Sequence, residues 1–268
     1  MTRSSALFGR RISIQASRLT VLAVLGTCLW TYFQQPEGAL EWTLDILFRA
    51  YLHFIAGVMA HEATHGHLGS SRAANLWWGR VALTPTMVPY AVFRKTHILH
   101  HRHTNIADED PDAYLNTRHL WQVPLRAVSM PYHWLRWLRT RGLLTRELAL
   151  ELALTWAFYA AIAIALASQV GWARVLSGYF PAGILHALLL WYPFAIKTHE
   201  GYSTGDERER SHDYHGKLAY WFSFGLSLHR VHHLKPHLGW LEMFPFIQPC
   251  SWWQALTFRR DVQKRLQS

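Results

Sequence analysis

Three histidine clusters stand at helical spacing in this sequence: His61 and His65 in HEATH, His97, His100 and His101 in HILHH, and His229, His232 and His233 in HRVHH. Steps of three and four residues along an α-helix return side chains to one face, about 40–60° apart. Each cluster can therefore close on a metal ion without rearranging a loop. Eight imidazoles are too many for one zinc ion, which takes about four ligands; they suit two metals. Imidazole accepts iron as well as zinc, so nitrogen ligation alone does not choose the metal.

The surrounding chain must hold these clusters, and its composition says where. Half of the 268 residues are apolar, 14% are aromatic, and only 16% are charged, against about a quarter in an ordinary globular chain. The net charge of +10 comes without a recognisable nucleic-acid-binding module, so nucleic acid is not the expected partner. Arginine gathers beside apolar segments instead, at Arg10, Arg11 and Arg18, around Arg136–Arg146, and at Arg259, Arg260 and Arg265. Cations facing an anionic leaflet belong there. Cys28 and Cys250 form no CxxC, which indicates neither a disulfide framework nor thiolate ligation. The basic N-terminus and its apolar run resemble a signal peptide. QQPEG supplies no small-x-small cleavage site, and a retained first helix is expected.

Four apolar segments come in two pairs, Leu19–Phe33 with Leu44–Ala60 and Ala149–Val170 with Val175–Ile196. They predict membrane spans over about 17–35, 43–61, 148–170 and 175–197, since a helix needs roughly 20 residues to cross the hydrocarbon core. Asp45 and Arg49 weaken the second. The expected fold is an all-α membrane protein, one membrane-embedded domain over 1–268, with two helical hairpins and a cytoplasmic helical cap carrying the clusters. The turns at 34–43 and 171–174 hold one Arg between them. The positive-inside rule then makes the N-terminus, the C-terminus and all three clusters cytoplasmic, in a bacterial inner membrane. Ala73–Phe93, broken by Arg80, Pro85 and Pro89, reads as interfacial or re-entrant. Leu120–Leu144 reads as a helix at the headgroups, and Tyr220–Leu228 as a piece that brings the last cluster up beneath the membrane.

HEATH also fits HExxH, in which two histidines bind zinc and Glu62 would be the base of a protease. That reading leaves HILHH and HRVHH without a role. Glu62 is more economically the acceptor of a ligand's ring N–H, fixing that ring's orientation. A site under a bilayer meets acyl or terpenoid chains. Attack on an unactivated C–H bond requires redox chemistry, which points to iron with O2.

These residues carry a family resemblance. HEATH, HILHH and HRVHH resemble the three histidine boxes of the membrane fatty acid desaturase and hydroxylase superfamily, which includes carotenoid ketolases and hydroxylases. HHRHTNIADEDPDAY, His100–Tyr114, resembles the stretch after the second box, and HRVHHLKPHLGW resembles the third box with its trailing proline. The resemblance runs from about His61 to Trp240; the first hairpin matches in topology only. It implies a desaturase-like domain, two iron ions held by nine histidines, and O2 as co-substrate. The ninth ligand comes from the end of the fourth span, where this sequence has His199; His212, His215 and His237 are rivals for that place. His67 and His103 exceed the nine and are expected to orient ligands. Asp110 and Asp112, which bracket Pro111, are expected to orient ligands through their distal nitrogens or to pair with Arg94, Lys95 or Arg102; carboxylate ligation is the lesser alternative. His53 and His186, inside spans, could approach the substrate or be packed between helices.

The implied reaction is O2-dependent oxidation of an unactivated C–H bond in a lipid, with fatty acyl desaturation first. Carotenoid hydroxylation or ketolation, or hydroxylation of another hydrophobic metabolite, are the alternatives; an HExxH protease and a metal- or haem-trafficking protein are remote ones. Neither a haem signature nor a GxGxxG site is present. Electrons are therefore expected from a separate carrier, ferredoxin or a cytochrome b5-like protein, docking on the basic surface.

Overall fold

Leucine- and alanine-rich runs free of turn residues give long helices, and in the computed structural model, which describes residues 3–117, 119, 121–200, 210–251 and 253, they dominate. They are α1 (Arg3–Tyr32), α2 (Ala39–Thr64), α6 (Arg146–Val170) and α7 (Trp172–Leu185), which runs on as a π-helix over His186–Ile196 and a 3-10 turn over Lys197–His199. Each contains a stretch long and apolar enough to cross a membrane: Gly9–Tyr32, Ala39–Thr64, Arg146–Val170 and Trp172–His199. At 1.5 Å per residue, α6 is about 37 Å long, more than the roughly 30 Å hydrocarbon core. Its outward face is apolar: Leu150, Leu154, Trp156, Phe158 and Ile164 are exposed, while Leu152, Tyr159 and Ala167 pack inward. Arg259, Arg260 and Arg265 lie outside the described residues.

The helices themselves end at other residues than the span limits expected from hydropathy. α1 stops at Tyr32 rather than 35, because Pro36 and Gly38 follow, and starts well before residue 17, because nothing in GRRISIQAS breaks a helix. α2 runs on to Thr64 and carries His61 in its last turn. The fourth span is not a plain α-helix beyond Leu185. Pro193, which has no N–H to donate, lies within this segment, and the widened π turns carry the chain to His199. α6 and α7 are joined by Gly171 alone, at φ 81°, a conformation that a residue with a Cβ rarely adopts.

The charges that weakened the second span have partners. Arg49, 1% exposed, donates from Nε to Asp45 at 2.9 Å and lies over the Tyr32 ring at 4.0 Å. Arg174 of α7 reaches the same carboxylate at 3.0 Å and the Thr31 carbonyl at 2.8 Å. Asp45 thus ties the first hairpin to the second.

Between the hairpins, the segment expected to be interfacial resolves into α3 (Arg72–Leu83), a 3-10 turn (Thr84–Thr86) and α4 (Tyr90–His103). Ser71 caps α3 by accepting from the Ala74 N–H. α3 is held against the end of α2 by Asn75, which accepts from the Leu68 N–H at 2.9 Å. α5 (Gln122–Thr140) buries Met130, Trp134 and Trp137 and exposes Leu125, Val128 and Tyr132, as suits a helix lying at the headgroups. α8 (Lys217–Phe222) and α9 (His229–Leu234) are single short turns. Asp213 accepts from the Arg230 N–H at 2.8 Å at the start of α9, placing a carboxylate where unsatisfied helix donors and the helix dipole favour one.

Gly79 lets α3 pass directly over Tyr90, the first residue of α4; a Cβ there would lie 2.1 Å from the ring. Gly79→Ala is expected to lower the thermal unfolding temperature of the detergent-purified protein, with a cost of about 1–3 kcal/mol from overpacking. Gly26→Ala, in α1 with nothing within 4 Å of the new methyl, should be neutral or stabilising. Equal stability of Gly79→Ala and the parent would contradict this packing.

Candidate metal centre

Three helices end in histidines. His61 lies in the last turn of α2, and His65 is the residue at which that helix stops. α4 carries His97, His100 and His101 in its last two turns, and three of the six residues of α9 are histidines. On a helix, the outer histidines of HxxHH lie about 40° apart and the middle one falls about 60° to the other side of the first. The structure uses this offset. His97 and His101 join His61, His65 and His232 in one group, while His100 joins His199, His229 and His233 in another. α9 divides the opposite way from α4: its i, i+4 pair enters the second group and its i+3 ring the first.

Within each group, one ring nitrogen per residue lies within 4.8 Å of all the others. The short separations are His65–His97 at 2.9 Å and His101–His232 at 3.1 Å in the first group, and His100–His199 at 3.1 Å and His199–His229 at 2.8 Å in the second, all between Nε2 atoms. Nitrogens about 2 Å from a shared ion stand about this far apart. Both ring nitrogens of His61 and His233, and Nδ1 of His229 and His232, are buried without a hydrogen-bond partner. Such a group left unpaired costs about 1–3 kcal/mol; a shared cation would pair with one nitrogen of each ring, which in His229 and His232 is the Nε2 that already faces the other imidazoles. Burial holds His65, His97, His101, His229, His232 and His233 well below the ordinary imidazole value, and the charge each would place on its neighbours adds to the effect. Neutral rings keep the lone pair that a metal needs.

His100 behaves differently. Burial pushes it down, but the Asp110 carboxylate more than reverses this and raises it to about 9. Its Nδ1 lies 3.0 and 3.1 Å from the two Asp110 oxygens, leaving Nε2 toward His199. Asp110 is held by the N–H groups of Asn105 and Asp112, each at 2.8 Å. Asp112 accepts from the Trp134 indole at 2.7 Å and stands 3.9 Å from His100 Nδ1. Neither pairing follows the arginine alternative, and Lys95 donates instead to the Leu143 carbonyl. His199, at the end of the fourth span, has Nδ1 2.7 Å from the Arg210 carbonyl, which leaves its Nε2 to the second group. His212, His215 and His237 belong to neither group.

Two residues expected to orient ligands do other work. Glu62, one residue on from His61 and so about 100° around the helix, accepts from the Trp240 N–H at 2.9 Å and faces His67 Nδ1 at 3.2 Å. His61 Nδ1 is 3.9 Å away, too far for a hydrogen bond. Glu62 thus ties α2 to the chain after α9. His103 lies on the outer side of α4, 34% exposed, and pairs with Glu109 at 2.8 Å. Sequence reasoning missed Asn105, which sits at φ 60°, supports Asp110 and donates to the His199 carbonyl at 2.7 Å. Its signal was an Asn just past a helix end, a position that favours the left-handed conformation.

An apolar cavity of about 250 Å³ lies between α2, α5 and α7. Phe93, Trp134 and Trp191 line it and also line a small recess against His61, His97, His100 and His229. Phe93 is 5.8 Å from Trp134 and 5.9 Å from Trp191 between ring centroids. Gly57 lets Trp191 come close: a Cβ there would lie 2.9 Å from the indole.

A family model described as fatty acid desaturase matches residues 40–245. The omega-3 fatty acid desaturase fat-1 of Caenorhabditis elegans is 31% identical over 100 residues, 37% of this chain and 22% of that protein. The sn-1 acyl-lipid omega-3 desaturase (ferredoxin) of Synechocystis sp. (strain ATCC 27184 / PCC 6803 / Kazusa) is 33% identical over 115 residues, 42% of this chain and 29% of that protein. The matched segment thus spans less than a third of either curated relative. No solved structure matches the chain.

Two measurements check this geometry. In the metal-free chain, six imidazoles stay neutral where the same groups in the unfolded chain begin to take up protons, below the ordinary value of 6.5. His67 and His100, raised by Glu62 and Asp110 against the effect of burial, oppose them. Lowered folded-state values stabilise the fold above about pH 6.5 and cease to do so as pH falls. The unfolding temperature of metal-stripped protein should therefore decline steadily from about pH 6.5 downward, and a rise over that interval would contradict neutral burial. Asp110→Asn, by loosening His100, should weaken metal binding by the four-histidine group about ten- to a hundred-fold, read as metal retained per chain after dialysis against a chelator; unchanged retention would show that Asp110 does not position that ring.

Proposed function

We propose that this chain, which belongs to the fatty acid desaturase family, is a membrane oxidoreductase that uses two iron ions and O2 to oxidise an unactivated C–H bond of a lipid, introducing a double bond into a fatty acyl chain. The observation that carries this reading is the division of nine imidazoles into sets of five and four beside an apolar cavity. In it, His61, His65, His97, His101 and His232 would hold one iron and His100, His199, His229 and His233 the other. All-imidazole donors suit iron, and bound iron would supply the redox chemistry with O2 that an unactivated C–H bond demands.

The chain's own residues do the rest. Asp110 holds the His100 ring by its Nδ1–H, and the Arg210 carbonyl does the same for His199. Phe93, Trp134 and Trp191 keep water from the approach and guide a hydrocarbon chain toward the imidazoles. Removing two hydrogens from adjacent carbons, with two electrons and two protons from outside, reduces O2 to two waters. Whether the second hydrogen leaves or oxygen is retained depends on where the wall holds the carbon. The electrons would come from a separate carrier. Arg136 and Arg141, beside Asp110 at the rim of an open pocket, suit an acidic one such as the ferredoxin named for the Synechocystis relative. The charge asymmetry of the loops supports a cytoplasmic site in a bacterial inner membrane, with the chain working as one membrane-embedded unit.

Lipid mass spectrometry of cells expressing the chain against cells expressing His100→Ala tests the reading. Wild type should yield acyl chains lighter by two hydrogens, and the variant should lose at least about a hundred-fold of that product while still inserting, because apolar segments specify the spans. Products heavier by one oxygen would make the enzyme a hydroxylase. Lipid profiles identical in the two strains, with no O2 uptake when a reductant is supplied, would overturn the oxidase reading.

A further inference from the structure

The apolar cavity contains two histidines that belong to neither group of nine. His53 of α2 is 3% exposed, His186 opens the π-helical segment, and both line the cavity. Their rings meet edge to face, 6.2 Å apart between centroids and 88° to one another. His53 Nδ1 and His186 Nε2 are both buried without a hydrogen-bond partner. Other polar groups of the same wall are already engaged: the Tyr179 hydroxyl donates to the Thr86 carbonyl at 2.7 Å, the Thr86 hydroxyl to the Leu83 carbonyl at 2.9 Å, and the Trp134 indole to Asp112. Polar side chains inside a span are costly and serve function when they face a cavity. A plain hydrocarbon filling this one would offer the two rings no polar partner.

We propose that His53 and His186 form a polar subsite for a neutral oxygen substituent, a hydroxyl, on the substrate's hydrocarbon chain. The inference rests on reading the cavity as the substrate's approach to the metal centre. A neutral imidazole donates at one nitrogen and accepts at the other, and a hydroxyl does both, so it can pair with either ring in either tautomer. A carbonyl can only accept, and a carboxylate would bring a net charge into the span. The subsite also measures position. His53 precedes His61 by eight residues, about 12 Å along the helix, and His186 is 6.0 Å from Trp191, which reaches the recess beside the nine imidazoles. A hydroxyl held here fixes which carbon, several methylenes away, comes to the metals. His53 and His186 are thus specificity-determining residues for an oxygenated chain.

The test is competition binding on the purified full-length chain in detergent, with labelled octadecanoate as tracer. Unlabelled octadecanoate is compared with its monohydroxylated isomers, the hydroxyl moved along the chain. Wild type should prefer isomers with the hydroxyl in one short stretch, about two- to ten-fold over octadecanoate, the range that one neutral hydrogen bond supplies. That preference should collapse to about one in His53→Leu and in His186→Leu, and part of it should return in His53→Gln, which keeps a donor and an acceptor. Elution as a single species and a near-parental unfolding temperature establish that each variant is folded. A wild-type chain that favours no isomer, or binds neither ligand, overturns the proposal, as does a preference that survives both leucine variants. Binding is read without turnover. A chain that discriminates but oxidises no lipid therefore overturns the oxidase reading alone, and one that oxidises lipids without discriminating overturns this one alone.

Discussion

A histidine can hold a metal only through a lone pair, and it has that lone pair only while unprotonated. Nine such rings gathered in a small volume repel one another as soon as several are charged, so the gathering depends on their remaining neutral. Burial secures this for most of the cluster. The requirement constrains the architecture. The ends of α2 and α4, the single turn of α9 and the tail of the fourth span must meet away from bulk water, each delivering rings at fixed angles. Asp213 stabilises the start of α9, a helix too short to be stable alone, and Glu62 fastens the chain after it to α2.

The opposite end of α2 meets a different demand. There Asp45, Arg49 and Arg174 concentrate charge where two helices pass from one side of the bundle to the other. Breaking a buried pair by removing one partner strands the other charge and costs far more than the pair contributes. The arrangement therefore specifies how the hairpins sit against each other more than it stabilises them. With the charges joined at one end and the histidines at the other, α2 has a fixed depth relative to α7, and the cavity between them has a fixed length.

What could be read from the sequence was what depends on local period. HxxHH and HxxxH declare their shared faces through helix geometry alone, and the four spans declare themselves through apolar length. His199 was different: no spacing singled it out among His212, His215 and His237, and only the family resemblance pointed to the end of the fourth span. The π-helical register over His186–Ile196 was hidden because proline reports a disruption without saying how the ladder repairs itself. Glu62 was misjudged for a related reason. Its motif suggests a role toward the neighbouring histidine, but the direction in which a residue one step along a helix points matters only once the packing partners, here His67 and Trp240, are known. Asp110 meets His100, and Trp134 meets Asp112, through contacts that no periodicity encodes.

The opposite division of HILHH and HRVHH has one more consequence. Had α9 split its rings in the same sense as α4, one set would have gathered six of the nine and the other three. Crossing them gives five and four, close to balance but not equal. The two halves of the centre also differ in their outer contacts: in the set of four, a carboxylate stands behind His100 and a backbone carbonyl behind His199. Two ions seated there would be chemically distinct individuals, with different coordination numbers and different electron density from their ligands. Such a pair would have a built-in asymmetry, set by whether a histidine stands three or four residues along a helix from the first of its cluster.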